Sequence, residues 1–279
     1  MKTVSIVGVG LIGGSFALAL RKAGFSGKIL GVSSPRTVAE ALRLNIIDEA
    51  LPLDEAAARS DLIYLSQPIL RILETIPKIG AHRKPGSLVT DAGSTKAAIV
   101  RSAGEHIPGA AFLGGHPMAG KESRGVQSSD ADLFVNRPYV LTPAGDKQME
   151  TPSAREFLEW VRRIGARPIV LSPERHDRVV ALTSHLPQLG STALAASLNR
   201  QENRSDLLAA AGPGLEDTTR LALSDYEIWA DIIATNSEAI EAALAEYIDE
   251  LERVRRELDS GDMERRFREA ASFAGDLRK

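Results

Sequence analysis

The feature that most constrains this chain is the junction between a β-rich run and a glycine loop in "MKTVSIVGVGLIGGSF", at its very start. Residues 3–9 are dense in valine and isoleucine, as expected of a strand buried on both faces. "GVGLIG", residues 8–13, then fits the G-x-G-x-x-G pattern. A glycine-rich turn could show the same letters. Between a strand and a helix, however, each position has a task. Gly8 allows the tight turn, Gly10 lets the backbone approach a pyrophosphate, and Gly13 lets helix and strand pack closely. Leu11 and Ile12 occupy the free positions of the pattern, and the helix that follows would offer its first N–H groups to phosphates. Gly8, Gly10, Leu11, Ile12 and Gly13 are therefore candidate cofactor-binding residues.

The pattern that follows fits such a loop. Strand-like runs at residues 28–33, 61–66, 87–92, 110–115, 138–143 and 167–172 alternate, in the early part, with helical runs such as 15–23 and 37–44. This alternation predicts a parallel sheet with crossover helices. After residue 172 the β signal stops. Ser172 is a plausible N-cap with Pro173 at the first helical position, and Pro187 should kink the run that follows. A second long helix is expected near Ser224, which with Glu227 has capping-box spacing. Its stripe of Trp229, Ile232, Ile233, Ile240, Leu244, Ile248 and Leu251 suits either a core or a subunit interface. The expected fold is thus α/β: an N-terminal Rossmann-type dinucleotide-binding domain, residues 1–172, followed by an all-helical C-terminal domain, residues 173–279.

Composition narrows the partners. The chain has 279 residues and a net charge of −3 with no basic stripe, which argues against nucleic acid. It contains no cysteine, which excludes disulfides and thiolate chemistry and fits a reducing cytoplasm. The apolar N-terminus is interrupted by glycines and lacks a signal-peptide cleavage site, and no run reaches membrane-spanning length. His176 and His185 lack the spacing of a helical zinc pair, so no metal is assigned.

The end of the second strand bears on cofactor choice. NAD sites place Asp or Glu there for the ribose 2′-hydroxyl. Here "GVSSPRT" offers Ser33, Ser34 and Arg36, with no acid before Glu40. Two hydroxyls and a guanidinium suit a 2′-phosphate, so NADP is favoured, with NAD possible. Two later strand ends carry polar groups beside glycine: "TDAGSTK", with Ser94, Thr95 and Lys96, and "LGGHPMAGKES", with His116 in what reads as a stiff loop. A histidine titrating near neutrality suits the removal of a hydroxyl proton while hydride leaves the same carbon. In the helical half, His185, Asp217 and Arg220 are further candidates. Read singly, His185 fits a satisfied helical histidine and Arg220 a surface ion pair.

Taken in order, "GVGLIGGS", "TDAGSTK", "GGHPMAGKESRGV", "LFVNRPYVLTP", "HDRVVALTSHLP" and "GLEDTTRLALSDYEIW" resemble the prephenate/arogenate dehydrogenase family of tyrosine biosynthesis. The resemblance spans nearly the whole chain. It implies an NAD(P)-dependent oxidative decarboxylation of prephenate or arogenate. In that reaction His116 would accept the hydroxyl proton, and Ser94 would bond near that hydroxyl and the nicotinamide. Arg220 would bind a substrate carboxylate and His185 would help position the substrate. Asp217 and Glu122 would orient Arg220 or close the pocket, and Gln188 is a polar candidate near the substrate side chain. Lys121 departs from the small polar residue expected before Glu122. The family also implies a homodimer built through the helical domain, with no room for a chorismate mutase domain and with any feedback by tyrosine acting at the active site. The competing readings are another two-domain dehydrogenase, acting on a 3-hydroxyacid or an imine, and a non-catalytic nucleotide sensor.

Overall fold

A computed structural model describes residues 1–258 and 261–278, and their side chains except those of Asp146 and Lys147. Asp259, Ser260 and Lys279, which belong to the expected helical domain, lie outside the described residues. The first compact unit comprises Met1–Val180 and Ser224–Asn236, and the second Ala181–Leu223 and Ser237–Lys279.

Eight strands form the sheet of the first unit: β1 (Thr3–Val7), β2 (Lys28–Val32), β3 (Glu49–Ala50), β4 (Leu62–Leu65), β5 (Leu88–Asp91), β6 (Phe112–Pro117), β7 (Pro138–Thr142) and β8 (Arg167–Val170). Their spatial order is β3-β2-β1-β4-β5-β6-β7-β8. The helices α1 (Leu11–Lys22), α2 (Pro35–Arg43), α3 (Leu53–Arg59), α4 (Ile69–His82) and α5 (Ala97–His106) connect the strands from β1 to β6, and α6 (Pro152–Arg163) precedes β8. The strand order reverses at β1, between β2 and β4, which opens the crevice where such folds bind ligands.

Two features differ from the sequence expectation. The sheet is not wholly parallel, because β7 pairs antiparallel to β6 and β8 follows β7. In addition, the two-residue strand β3 is too short to give a periodic signal. The core between sheet and helices is aromatic. Phe16 stacks on Tyr64 with ring centroids 4.0 Å apart, and Phe134 and Phe157 pack against the same ring. Such pairs add about 0.5–1.5 kcal/mol each beyond the area they bury.

The helical run after β8 begins as expected. Ser172 Oγ accepts from the Arg175 amide at 3.2 Å, capping α7 (Pro173–Val180). The break comes earlier than Pro187, as a π-helical turn over Ala181–His185. Pro187 then sits harmlessly in the first turn of α8 (Leu186–Asn199), where its missing N–H breaks no bond. Short helices α9 (Arg204–Ala209) and α10 (Pro213–Thr219) lead to a 3₁₀ turn over Arg220–Leu223. The long helix α11 (Tyr226–Glu257) is broken at Asn236, which has non-helical angles, and α12 (Met263–Asp276) follows. The expected capping box is not what engages Ser224, because its Oγ accepts from the Trp229 indole at 3.0 Å. The apolar stripe on α11 divides: Ile232 and Ile240 are buried, whereas Ile248 and Leu251 are about half exposed in the single chain. Among the described residues no helix is long and apolar enough to cross a membrane.

Candidate active site

The glycine loop sits at the reversal point of the sheet. Gly8 adopts φ +96°, a left-handed conformation that disfavours any side chain. Its amide donates to the Val32 carbonyl at 2.8 Å, and its own carbonyl accepts from Ser66 Oγ at 2.9 Å, so the loop is bolted to the strands on both sides. At Gly13 a Cβ would collide with the Gly8 carbonyl and Ser66 Oγ, whereas at Gly10 it would meet open space. That space belongs to a cleft of about 1140 Å³ lined by Gly8, Gly10, Ser33, Arg36, Ser66 and Gln67 among others. A bare backbone at the start of α1, facing an open cleft, fits the pyrophosphate of a dinucleotide. Leu11 and Ile12 form the first turn of α1.

At the far end of the cleft, Ser33, Ser34 and Arg36 are exposed along its wall. Ser34 also caps α2, accepting from the Thr37 amide at 3.3 Å. Glu40 lines the cleft too, but Arg43 holds it through bonds of 2.7 and 3.0 Å and keeps its carboxyl below the usual range.

His116 is not on a loop. It lies within β6, paired with Val140 of β7, so its backbone is fixed by the sheet. Its Nδ1 lies 2.8 Å from Nε2 of His176, and Nδ1 of His176 lies 2.7 Å from Asp177 Oδ1. Asp177 also accepts from two backbone amides at the start of α5, Lys96 N at 2.7 Å and Ala97 N at 2.8 Å. His176 is fully buried, and that burial pushes its imidazole below the usual range although Asp177 pulls the other way. The antiparallel step makes this arrangement possible. Because β8 runs opposite to β6, α7 packs along α5 and brings the end of its first turn back to His116.

Beneath His116 lies a buried ion pair. Lys96 Nζ donates to Asp91 Oδ2 and, at 2.8 Å, to the Gly115 carbonyl. Asp91 accepts from the Gly115 and Gly93 amides at 3.1 and 2.8 Å. Burial pushes the Lys96 ammonium down, and the Asp91 carboxylate opposes it. The pair ties the end of β5, the loop carrying half-buried Ser94 and the backbone next to His116 into one rigid piece. Thr95 is held as well, its hydroxyl 2.7 Å from that of Thr235, while Asn236 Nδ2 donates to the Asp177 carbonyl at 2.9 Å. Lys96, singled out from sequence as a polar group at a strand end, is thus a buried strut. Glu122 is exposed on the loop after β6, and neighbouring Lys121 pairs with Asp130 at 2.8 Å.

In the second unit His185 is buried at the end of the π-helical turn. Arg220 is exposed and opens the 3₁₀ turn, and Asp217 is exposed on α10. Among the described residues no ion pair joins Asp217 to Arg220, so the orienting contact expected from sequence is not formed. Gln188 is buried, and its Nε2 donates to the Leu221 carbonyl at 2.8 Å. Ser191 Oγ accepts from the Ala222 amide at 3.1 Å. Helix α8 therefore holds the turn on which Arg220 sits.

With this geometry established, the chain matches two family models. Residues 16–170 fit the nucleotide-binding domain of prephenate dehydrogenase, and residues 172–272 fit its dimerization domain. The chain belongs to the prephenate dehydrogenase family. Membership makes it an NAD(P)-dependent dehydrogenase of the prephenate/arogenate type, in tyrosine biosynthesis. A prephenate dehydrogenase of Lactococcus lactis is 36% identical over 85% of this chain, which spans 66% of that protein's length. Among solved structures, A. aeolicus prephenate dehydrogenase in complex with hydroxyphenyl propionate and NAD+ aligns with a TM-score of 0.91 and 31% identity. That alignment covers 99% of this chain and 98% of the other. Synechocystis arogenate dehydrogenase aligns with a TM-score of 0.84 and 31% identity over 99% of both chains.

His176 and Asp177 were missed as partners of His116 in the sequence. They were visible only as "HD" in a helical run, where the zinc-pair spacing test could not reveal a partner sixty residues away.

Proposed function

We propose that this chain oxidises and decarboxylates prephenate or arogenate, with His116 as the proton acceptor. The observation that carries this reading is a histidine fixed in β6, hydrogen-bonded through Nδ1 to the buried imidazole of His176, in the same unit as the cleft beside the glycine loop. A nicotinamide dinucleotide held at Gly8, Gly10 and the start of α1 would supply a hydride acceptor for the ring carbon that carries the hydroxyl. As that C–H bond breaks, His116 takes the hydroxyl proton and the C=O bond forms. The C–C bond to the ring carboxylate then breaks, carbon dioxide leaves, and the electron pair aromatises the ring. The resulting phenolate recovers a proton from His116, which returns the base to its starting state.

Ser94 is proposed to hydrogen-bond the reacting hydroxyl, and its loop is held rigid by the Asp91–Lys96 pair. Arg220 is proposed to bind a substrate carboxylate and His185 to position the substrate. Asp217 and Glu122 are proposed to close the pocket, since Asp217 makes no ion pair with Arg220 among the described residues. Gln188 contributes through the turn it holds as well as through its polarity. The functional division is placed at residue 172, with residues 1–172 binding the dinucleotide and residues 173–279 binding substrate and forming a homodimer. The half-exposed Ile248 and Leu251 support that dimer. The cytoplasm is the proposed location, where nicotinamide cofactors are available.

For the cofactor, NADP is favoured over NAD. Arg36 stands on the cleft wall where a 2′-phosphate would lie, and the nearby carboxylate of Glu40 is already taken by Arg43. The alternative of a 3-hydroxyacid or imine substrate is disfavoured because residues 16–170 and 172–272 fit the two domains of prephenate dehydrogenase.

The test is to follow reduced-nicotinamide absorbance with prephenate and with arogenate, each against NAD and NADP. Turnover with at least one substrate is expected, and its absence with both would end the proposal. Arg220→Ala should raise KM by roughly tenfold or more with a smaller change in kcat, since loss of a charged hydrogen bond costs about 1.5–3 kcal/mol. An unchanged KM would remove Arg220 from the substrate.

A further inference from the structure

Resting on the reading of His116 as the proton acceptor, we propose that His176 and Asp177 are positioning residues that fix the His116 tautomer, leaving the lone pair on Nε2. An ionised carboxylate can only accept. Asp177 Oδ1 lies 2.7 Å from His176 Nδ1, so that nitrogen carries the proton. In a neutral imidazole the other nitrogen is then an acceptor. His176 Nε2 faces His116 Nδ1 at 2.8 Å, so His116 must donate from Nδ1 and hold its lone pair on Nε2.

The reverse chain would require Asp177 to be protonated. The two amides at the start of α5 donate to its two oxygens, so both oxygens are already used as acceptors and neither is placed to donate. The charged and titratable groups facing His176 are Asp177 on α7, Lys96 before α5, Asp91 at the end of β5 and His116 on β6. Lys96 and Asp91 pair with one another, and Asp177 is the carboxylate hydrogen-bonded to His176.

The intervening imidazole has a use of its own. A carboxylate directly against His116 would raise its pKa and favour the protonated ring before substrate arrives. A buried neutral histidine transmits orientation while setting the charge one ring further away. When His116 takes the substrate proton, its Nδ1–H remains bonded to His176 and the distant carboxylate still favours the imidazolium. The chain thus orients the base at rest and stabilises it once charged.

The experiment uses the full-length enzyme. In protein labelled with ¹⁵N-histidine, the His116 signals are assigned by their loss in His116→Asn. Above the titration range, His116 Nδ1 should show the shift of a protonated nitrogen and Nε2 that of an unprotonated one; the opposite pattern would overturn the proposal. This readout requires no turnover, so it stays separate from the fate of the proposed reaction.

Kinetics supply a second test. His176→Phe, which removes the acceptor, should lower kcat by about 100-fold with KM within about threefold. His176→Gln, whose side-chain oxygen can accept from Nδ1–H, should recover part of that loss. Asp177→Asn should move the acidic limb of the kcat/KM profile to lower pH, because the imidazolium loses its carboxylate. Wild-type kcat in both His176 variants, or an unmoved limb in a folded Asp177→Asn enzyme, would refute the assignment. If Asp177→Asn does not fold, the wild-type spectrum decides.

Discussion

The two ends of the first unit's site are built in opposite ways. The nucleotide end works by removing side chains: Gly8 turns, Gly13 lets α1 close on β1, and Gly10 leaves its backbone bare to the cleft. The His116 end works by crowding them in, with Asp91, Lys96, His176 and Asp177 all buried and mutually bonded. The difference teaches where rigidity is needed. A pyrophosphate is held by many backbone N–H groups, and a smooth approach is enough. A single proton transfer depends on one nitrogen being aimed and in the right tautomer, so the surrounding network must determine both.

The largest expected effect falls at the crowded end. His116→Asn should lower kcat by about 10²–10⁴-fold, the usual worth of a positioned acid–base group, while reduced-cofactor binding followed by fluorescence is retained. Near-normal turnover would show that the crowding serves stability alone. Next comes Lys96→Met, which strands the Asp91 carboxylate and should cost about 3–5 kcal/mol in denaturant unfolding. Adding Asp91→Leu should restore part of that loss, and a double variant worse than the single would mean the pair is more than a strut.

The glycine end should respond differently to equally small changes. Gly13→Ala should lower the midpoint of denaturant unfolding, because its Cβ meets backbone. Gly10→Ala should spare stability to within about 0.5 kcal/mol yet weaken cofactor binding measurably. If both variants behaved alike, the open space at Gly10 would not be where the dinucleotide binds. Arg36→Ala should weaken NADP binding by roughly tenfold and leave NAD unchanged, and equal loss for both would remove Arg36 from cofactor selection.

The smallest effect is on pH-dependent stability. Burial holds His176 below its unfolded value of about 6.5, so the unfolded chain binds the proton more readily. This contribution is fully present above pH ~6.5 and is lost as pH falls from there towards the folded value. The thermal midpoint should therefore fall on acidification through that window, and less so in His176→Gln.

What could be read from the chain depended on how locally each feature is written. The strand–glycine–helix junction is complete within residues 8–13, and Ser172 capping α7 is likewise a matter of adjacent residues, so both pieces of local geometry were legible. His116 was found, but as a loop residue, because glycine and proline around it mask a strand that exists by pairing with β7. The capping box at Ser224 failed because α11 begins at Tyr226, one residue later than that spacing needs, and Ser224 Oγ accepts from the Trp229 indole instead. Gln188 read as a polar candidate near the substrate side chain, and the contact of its Nε2 with the Leu221 carbonyl, thirty-three residues away, has no local signature.

By itself, then, the sequence determined the α/β plan, the glycine loop between strand and helix, and the candidate histidine, since periodicity and short motifs are local properties. The reversal of strand direction at β7, and with it the return of α7 to His116, was decided only in three dimensions. Hydrogen bonds between residues 91, 96, 116, 176 and 177 leave no spacing rule in the chain, because they form only once the sheet has brought their elements together.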